Sequence, residues 1–296
     1  MRAVANIKYF DATTTKEACE VLAANEGKAK VYAGGTDMLD WLKRRYMPTP
    51  EVVVNIKNIP GMKDISEEGG GLKIGACVTL ADLRANGTVQ SKYKMLADAV
   101  RLGPAPSIQN LATVAGDVCQ EVRCWYYRME DFYCYRKGGP VCFAPAGRNM
   151  FHAIMEQKVC NAVVAGDLGV ALAALNAKLK VEGMGGSREV EMKDFYVVLG
   201  NVLAPDEIIT SIMIPEAPSK GTFEKSRVRS AIDFAMVSCA AATTGKGTTV
   251  ALGGVAPVLV VGTPSEINAA IDGASPLSEN KYKVGVAKSM VARATA

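Results

Sequence analysis

Apolar residues along this chain change spacing many times, from helical to alternating and back. Residues 13–25 (TTTKEACEVLAAN) set Ala18, Val21 and Leu22 on one face behind a threonine, which predicts a capped helix. Residues 28–32 (KAKVY) predict a short strand running into a glycine turn, and 37–45 a helix opening directly out of that turn. Residues 51–56 (EVVVNI) and 71–76 (GLKIGA) predict strands, 79–85 a capped helix, and 86–102 a helical run that ends at the Gly103-Pro104 breaker. Further on, 167–177 (DLGVALAALNA) predicts an apolar helix, with 178–182 and 188–191 pairing as a hairpin around Gly183, Gly185 and Gly186. Residues 208–214 and 223–229 predict strands, whereas 231–242 (AIDFAMVSCAAA) suits helix and strand equally. Strands at 248–252 and 258–261 and helices at 265–271 and 281–292 complete the pattern, with no internal repeat. The Gly- and Pro-bearing segment 200–218 predicts a boundary between domains 1–205 and 206–296.

Composition narrows the class. The 296 residues are 49% hydrophobic and 22% charged, a globular balance, and a net charge of +4 is too small to make nucleic acid or an anionic membrane the main partner. The longest uncharged stretch, around 247–265, carries four glycines and two prolines, so no transmembrane segment is expected. The N-terminus meets Lys8 and Asp11 early and lacks a continuous apolar run, which predicts a cytoplasmic protein.

Two segments have ligand-binding character. Val31-Tyr32-Ala33-Gly34-Gly35-Thr36-Asp37-Met38 places two glycines, a hydroxyl and a carboxylate between a strand and a helix, an arrangement in which backbone N–H groups can face a pyrophosphate. It matches neither G-x-G-x-x-G nor the P-loop pattern, and alone it also reads as a plain capped turn. The second segment, 103–120 (GPAPSIQNLATVAGDVCQ), is too polar and glycine-bearing for an ordinary core helix. Two such loops can grip an extended dinucleotide.

Cysteine is the other unusual feature. Cys119, Cys124, Cys134, Cys142 and Cys160 fall within 42 residues, and eight of the nineteen aromatic residues lie between 121 and 160. In a chain of this size without an export signal, metal or redox chemistry is favoured over disulfides, with buried reduced thiols as the plain alternative. Four thiolates suit Zn²⁺ and an iron–sulfur cluster alike, and spacings of ten, eight and eighteen residues do not choose between them. Arg123, Arg128, Arg136 and Lys137 would offset a cluster's negative charge. His152, the single histidine, has no second histidine or paired carboxylate at motif spacing and is expected in a surface or packing role. No nucleophile–base or acid–base constellation is found, so no catalytic residue is assigned.

AGGTDM at 33–38, GACVTL at 75–80 and ATVAGD at 112–117 together resemble the FAD-binding medium subunit of the molybdenum hydroxylases, the xanthine and carbon monoxide dehydrogenase family. Later matches at Asp167-Leu168, APDEII (204–209) and RSAIDF (229–234) keep the same order. The resemblance implies an α+β fold: a two-subdomain FAD-binding domain of the vanillyl-alcohol-oxidase type, then a smaller α+β C-terminal domain. It implies that residues 31–38 wrap the pyrophosphate, that Thr113, Val114, Ala115, Gly116 and Asp117 form the second FAD loop, and that Asp167 bonds the ribityl or diphosphate region. Where family members usually have Gly-Gly-Asn, this chain has Ala115-Gly116-Asp117, which sets a carboxylate beside an anionic cofactor. The segment from about 119 to 160 resembles the insert of the 4-hydroxybenzoyl-CoA reductase flavin subunit, which implies a [4Fe–4S] cluster on Cys124, Cys134, Cys142 and Cys160, with Cys119 not a ligand.

The implied role is an electron-transfer oxidoreductase subunit, passing electrons between FAD and iron–sulfur centres. Its implied partners are a molybdenum-cofactor large subunit, a [2Fe–2S] small subunit and an external carrier such as ferredoxin, NAD or a quinone. A stand-alone flavin oxidoreductase and a zinc-stabilised nucleotide-binding module are the alternatives.

Overall fold

A computed structural model describes residues 6–296; residues 1–5, the start of the segment read for an export signal, lie outside the described residues. Three larger sheets and a two-stranded ladder, Tyr196–Val197 with Gly200–Asn201, organise the described residues. The first is parallel, in the order Lys8–Asp11, Val52–Asn55, Ala29–Tyr32, with the helix Thr15–Ala24 packed on it. Thr14 caps that helix, its hydroxyl accepting from the Glu17 N–H, as the sequence predicts.

The second sheet is antiparallel, ordered Ile65–Glu68, Gly71–Gly75, Ile208–Ile214, Lys178–Gly183, Gly186–Glu191. Its central strand is the last of the five in the chain. By strand pairing Ile208–Ile214 therefore joins the residues before it, although the predicted boundary at 205/206 placed it with the C-terminal part. The predicted run 86–102 forms two helices, Gly87–Lys92 and Lys94–Leu102, interrupted at Tyr93, whose ring is buried.

The third sheet runs Lys220–Ser226, Val237–Thr244, Gly247–Gly253, Val260–Gly262, with the helices Pro264–Asp272 and Tyr282–Thr295 packed on it. The segment with two readings resolves as the strand Val237–Thr244. Its first six residues are all buried, because the helix Asp167–Ala174 and the helix Tyr282–Thr295 both pack against it. Burial on both faces removes the alternation that would have identified a strand.

Between these sheets lies the cysteine insert, irregular except for one short turn of helix at Tyr135–Lys137. It has too few aliphatic residues for a core of its own and borrows one: Val122, Tyr127, Cys134, Cys160 and Ala162 cluster with Trp41, Leu42 and Tyr46. Its far end is pinned to the C-terminal region. Lys283, fully buried, donates to the carbonyls of Phe151, His152 and Gly254 at 2.8, 3.0 and 2.6 Å, and Asn280 Nδ2 donates to those of His152 and Ala153. No helix among the described residues is long and apolar enough to cross a membrane.

Candidate functional site

The glycine turn joins the strand Ala29–Tyr32 to the helix Met38–Arg44. Gly35 has φ +70°, where a side chain is strained, and a Cβ there would stand 2.6 Å from the Tyr32 ring. A Cβ on Gly34 would stand 2.0 Å from the backbone oxygen of Leu111, so the two glycine-bearing segments press backbone to backbone. The sequence placed the glycine requirement on the approach of a ligand; the nearest obstacles are the protein's own atoms. The second segment folds as two short helices, Pro106–Gln109 and Val114–Val118, and Thr113 caps the latter by accepting from the Gly116 N–H at 3.2 Å.

Two cavities meet at these segments. One, of about 410 Å³, is lined by every residue from Val31 to Met38, by Thr113, Ala115 and Gly116, and by Leu203 and Ile209. The other, of about 260 Å³, is lined by Gly103, Gly116, Asp117, Asp167, Lys225 and Phe234. They share Thr36, Asp37, Gly116 and Gln120. The junction falls at residues where the sequence expects a pyrophosphate, with a chamber on either side. Val114 is the exception: its side chain lies fully buried in the core and lines neither cavity.

Charge in the second chamber centres on Asp167. Lys225 Nζ donates to its Oδ2 at 2.5 Å, while Oδ1 is buried without a partner. Burial raises Asp167 above the ordinary carboxylate range, and Lys225 opposes the rise. Asp117 is pushed up to about 7 by burial and then by Asp167, against Arg123, Lys225 and a 2.9 Å hydrogen bond from Gln120. At the departure from the family pattern, burial and Asp167 thus both favour the neutral form of the Asp117 carboxyl. Lys225 escaped the sequence reading. Its signal was a lysine two residues from Phe223 on the inward face of a predicted strand.

The insert brings Cys124, Cys134, Cys142 and Cys160 to the wall of one small cavity of about 10 Å³, beside Tyr127 and Arg136. Cys119 stands apart, on the wall of the 410 Å³ cavity. Among the described residues, no three His, Cys, Asp or Glu side chains stand together as a group fit to hold a metal ion. His152 is buried rather than on the surface, its Nε2 3.2 Å from Cys124 Sγ, and burial together with Lys283 pushes it down to about 4. Asn161 Nδ2 lies 3.4 Å from Cys142 Sγ. Burial pushes the Cys124 thiol up to about 12. A third cavity, of about 230 Å³, links the two regions: it is lined by Cys124, Trp125 and His152, and shares Arg123, Ala165, Asp233 and Phe234 with the Asp167 chamber.

Residues 5–217 match the family model described as the FAD binding domain in molybdopterin dehydrogenase. The chain is 31% identical over 285 residues to the aldehyde oxidoreductase FAD-binding subunit PaoB of Escherichia coli K12, covering 89% of each. It is 27% identical over 316 residues to the carbon monoxide dehydrogenase medium chain of Hydrogenophaga pseudoflava, covering 97% of this chain and 95% of the other. The structure superposes on a solved carbon monoxide dehydrogenase from Hydrogenophaga pseudoflava, at 24% identity, with TM-score 0.75 over 99% of this chain and 97% of that one.

Proposed function

The chain belongs to the family of FAD-binding domains of molybdopterin dehydrogenases, and from that premise we propose that it is the flavin subunit of a multi-subunit molybdenum oxidoreductase, carrying electrons between FAD and iron–sulfur centres. The observation that carries the reading is the pair of chambers meeting at the two glycine-bearing segments, with the Asp167 Oδ1 buried and unpartnered in one of them. A buried acceptor without a donor is costly in an empty protein and is satisfied by a ligand hydroxyl. We place the pyrophosphate at Gly34, Gly35, Thr36 and Gly116, the ribityl chain by Asp167, and the flavin ring near Phe234. Bound there, FAD supplies the one- and two-electron chemistry; the chain supplies position, charge and exclusion of water.

The finer reading concerns the insert, which we assign to a [4Fe–4S] cluster of the 4-hydroxybenzoyl-CoA reductase kind on Cys124, Cys134, Cys142 and Cys160. Four thiols from a 37-residue span around one cavity support it, as do Arg136 beside Cys160 and the cavity that joins Cys124 to the flavin side. Four thiols suit zinc and a cluster alike, and the flavin proposed next door, an electron partner for a cluster, is the ground for preferring iron–sulfur. A cube of four irons needs more than the present 10 Å³, so the cysteine side chains must swing outward to take it.

The partners we propose are a molybdenum-cofactor large subunit, a [2Fe–2S] small subunit and an external carrier, ferredoxin, NAD or a quinone. The compartment we propose is the cytoplasm, as the sequence reading expects. By strand pairing we divide the chain after Ile214, into an FAD-binding part with its insert and a C-terminal part that starts at the strand Lys220–Ser226. Purification from native cells, with flavin, iron and molybdenum measured on the intact assembly, tests the whole reading. Larger and smaller subunits should accompany the chain with one FAD each; a lone, fully active flavoprotein would overturn it.

A further inference from the structure

The cysteine insert meets the glycine turn along a seam of charge. Asp37 closes the AGGTD turn, and its carboxylate is held from the insert: the Glu121 N–H donates to Oδ2 at 2.9 Å, Arg123 Nη2 lies 2.8 Å from Oδ1, and Arg128 Nη1 lies 3.7 Å from the same oxygen. Arg128 Nη2 also bonds Asp40, one turn further along the helix Met38–Arg44. Both arginines are stacked, Arg128 over the Tyr46 ring at 4.9 Å and Arg123 over the Phe234 ring at 4.7 Å. Beneath the charges, Trp41 and Leu42 pack on Val122, Tyr127 and Cys160. The helix that follows the glycine turn thus rests on the insert, and the insert neutralises the one carboxylate in that turn.

Resting on the placement of the pyrophosphate at residues 31–38, we propose that Arg123 and Arg128 are positioning residues for FAD, acting through Asp37, and that they couple the order of the cysteine insert to flavin affinity. An unneutralised carboxylate at the junction of the two cavities would repel a pyrophosphate, and the low dielectric of a partly buried site enlarges the effect. With both arginines in place, the carboxylate is turned to the insert and its charge is cancelled. The coupling is reciprocal: whatever loosens the insert weakens FAD, and FAD binding orders the insert by the same factor. Two arginines of a cysteine-rich loop therefore serve the flavin.

The test uses the full chain in its native assembly, stripped of flavin and titrated with FAD by fluorescence, with iron counted on the same samples. The double variant Arg123→Gln/Arg128→Gln should weaken FAD by at least about tenfold with iron unchanged. Adding Asp37→Asn to that variant should recover most of the loss, because the charge the arginines cancel is then gone; a merely structural role gives no such rescue. Arg123→Lys/Arg128→Lys, which keeps the charge, should stay within about threefold of the parent. Unaltered affinity in the double Gln variant, or a loss that Asp37→Asn leaves untouched, overturns the proposal. Gly34→Ala is the control on the site itself: if it too leaves FAD affinity intact, the pyrophosphate is elsewhere and the placement fails with the proposal, whereas loss there with no change in the arginine variants condemns the proposal alone.

Discussion

Lys225 holds one oxygen of Asp167 at 2.5 Å and leaves the other buried and bare. Lys225 fixes one oxygen of the carboxylate, and the other is the acceptor we propose for a flavin hydroxyl. Asp167→Asn keeps the shape but exchanges an acceptor or weakens it, and FAD retained after gel filtration should fall several-fold with the melting temperature nearly unchanged. Lys225→Met leaves a buried carboxylate without its cation and should cost about 3 kcal/mol of stability, read by denaturant titration of the flavin-free chain. Equal effects from both changes would mean that Asp167 is structural only.

Cys124, Cys134, Cys142 and Cys160 share one cavity, and Cys119 faces another. Serine at any of the four should lower iron and sulfide together, and serine at 119 should leave both at the parental level. Loss of iron in Cys119→Ser with retention in Cys124→Ser would exchange their roles. Zinc in place of iron in anaerobic preparations would return the insert to a structural module.

Gly34 and Gly35 carry different constraints, and substitution separates them. Gly34→Ala drives a Cβ into the Leu111 carbonyl and should part the two loops, lowering FAD content and stability together. Gly35→Val is strained by its φ and by the Tyr32 ring and should lower FAD content more than stability, since the ring can swing. Absorbance ratios at the flavin and protein bands, with thermal melts of each, report the difference.

Asp117 predicts a pH dependence with a definite sign. Its folded pKa of about 7 lies above the ordinary value of 3.8, so the protonated carboxyl belongs to the folded state. The stability it confers is full below about pH 4 and is lost as pH rises towards 7, by at most about 1.4 kcal/mol per pH unit. Flavin-free protein should therefore be measurably more stable to urea at pH 5 than at pH 8, all other groups being equal. Asp117→Asn should flatten that difference; an unchanged profile would assign it to other groups.

Most elements were readable because capping and periodicity are local. Thr14 and Thr79 announce the helices they cap, and Ile208–Ile214 matches its predicted span to the residue. The turn at Gly35 and the helix cap at Thr113 were legible for the same reason, since both act within a few residues of where they stand. What stayed hidden depends on distant partners. The strand Lys8–Asp11 carries no buried residue and is defined by pairing with Val52–Asn55. His152 gave no motif, because its relation to Cys124 crosses 28 residues of irregular chain. Lys225 met Asp167 across 58 residues, and Arg123 met Asp37 across 86. Local chemistry marks which residues are unusual; packing alone decides which unusual residues meet.

The place of Ile208–Ile214 at the centre of the second sheet sets an order on synthesis. During translation the strands Gly71–Gly75 and Lys178–Gly183 emerge first and wait as separate edges, each with a row of unpaired backbone groups, until a segment made some thirty residues later slides between them. The fit admits little error: a Cβ on Gly71 would strike the Ile214 carbonyl at 1.9 Å. A chain released near residue 205 thus has two half-sheets and no strand to join them, and is expected to be a substrate for chaperones or for aggregation rather than a small flavin-binding protein.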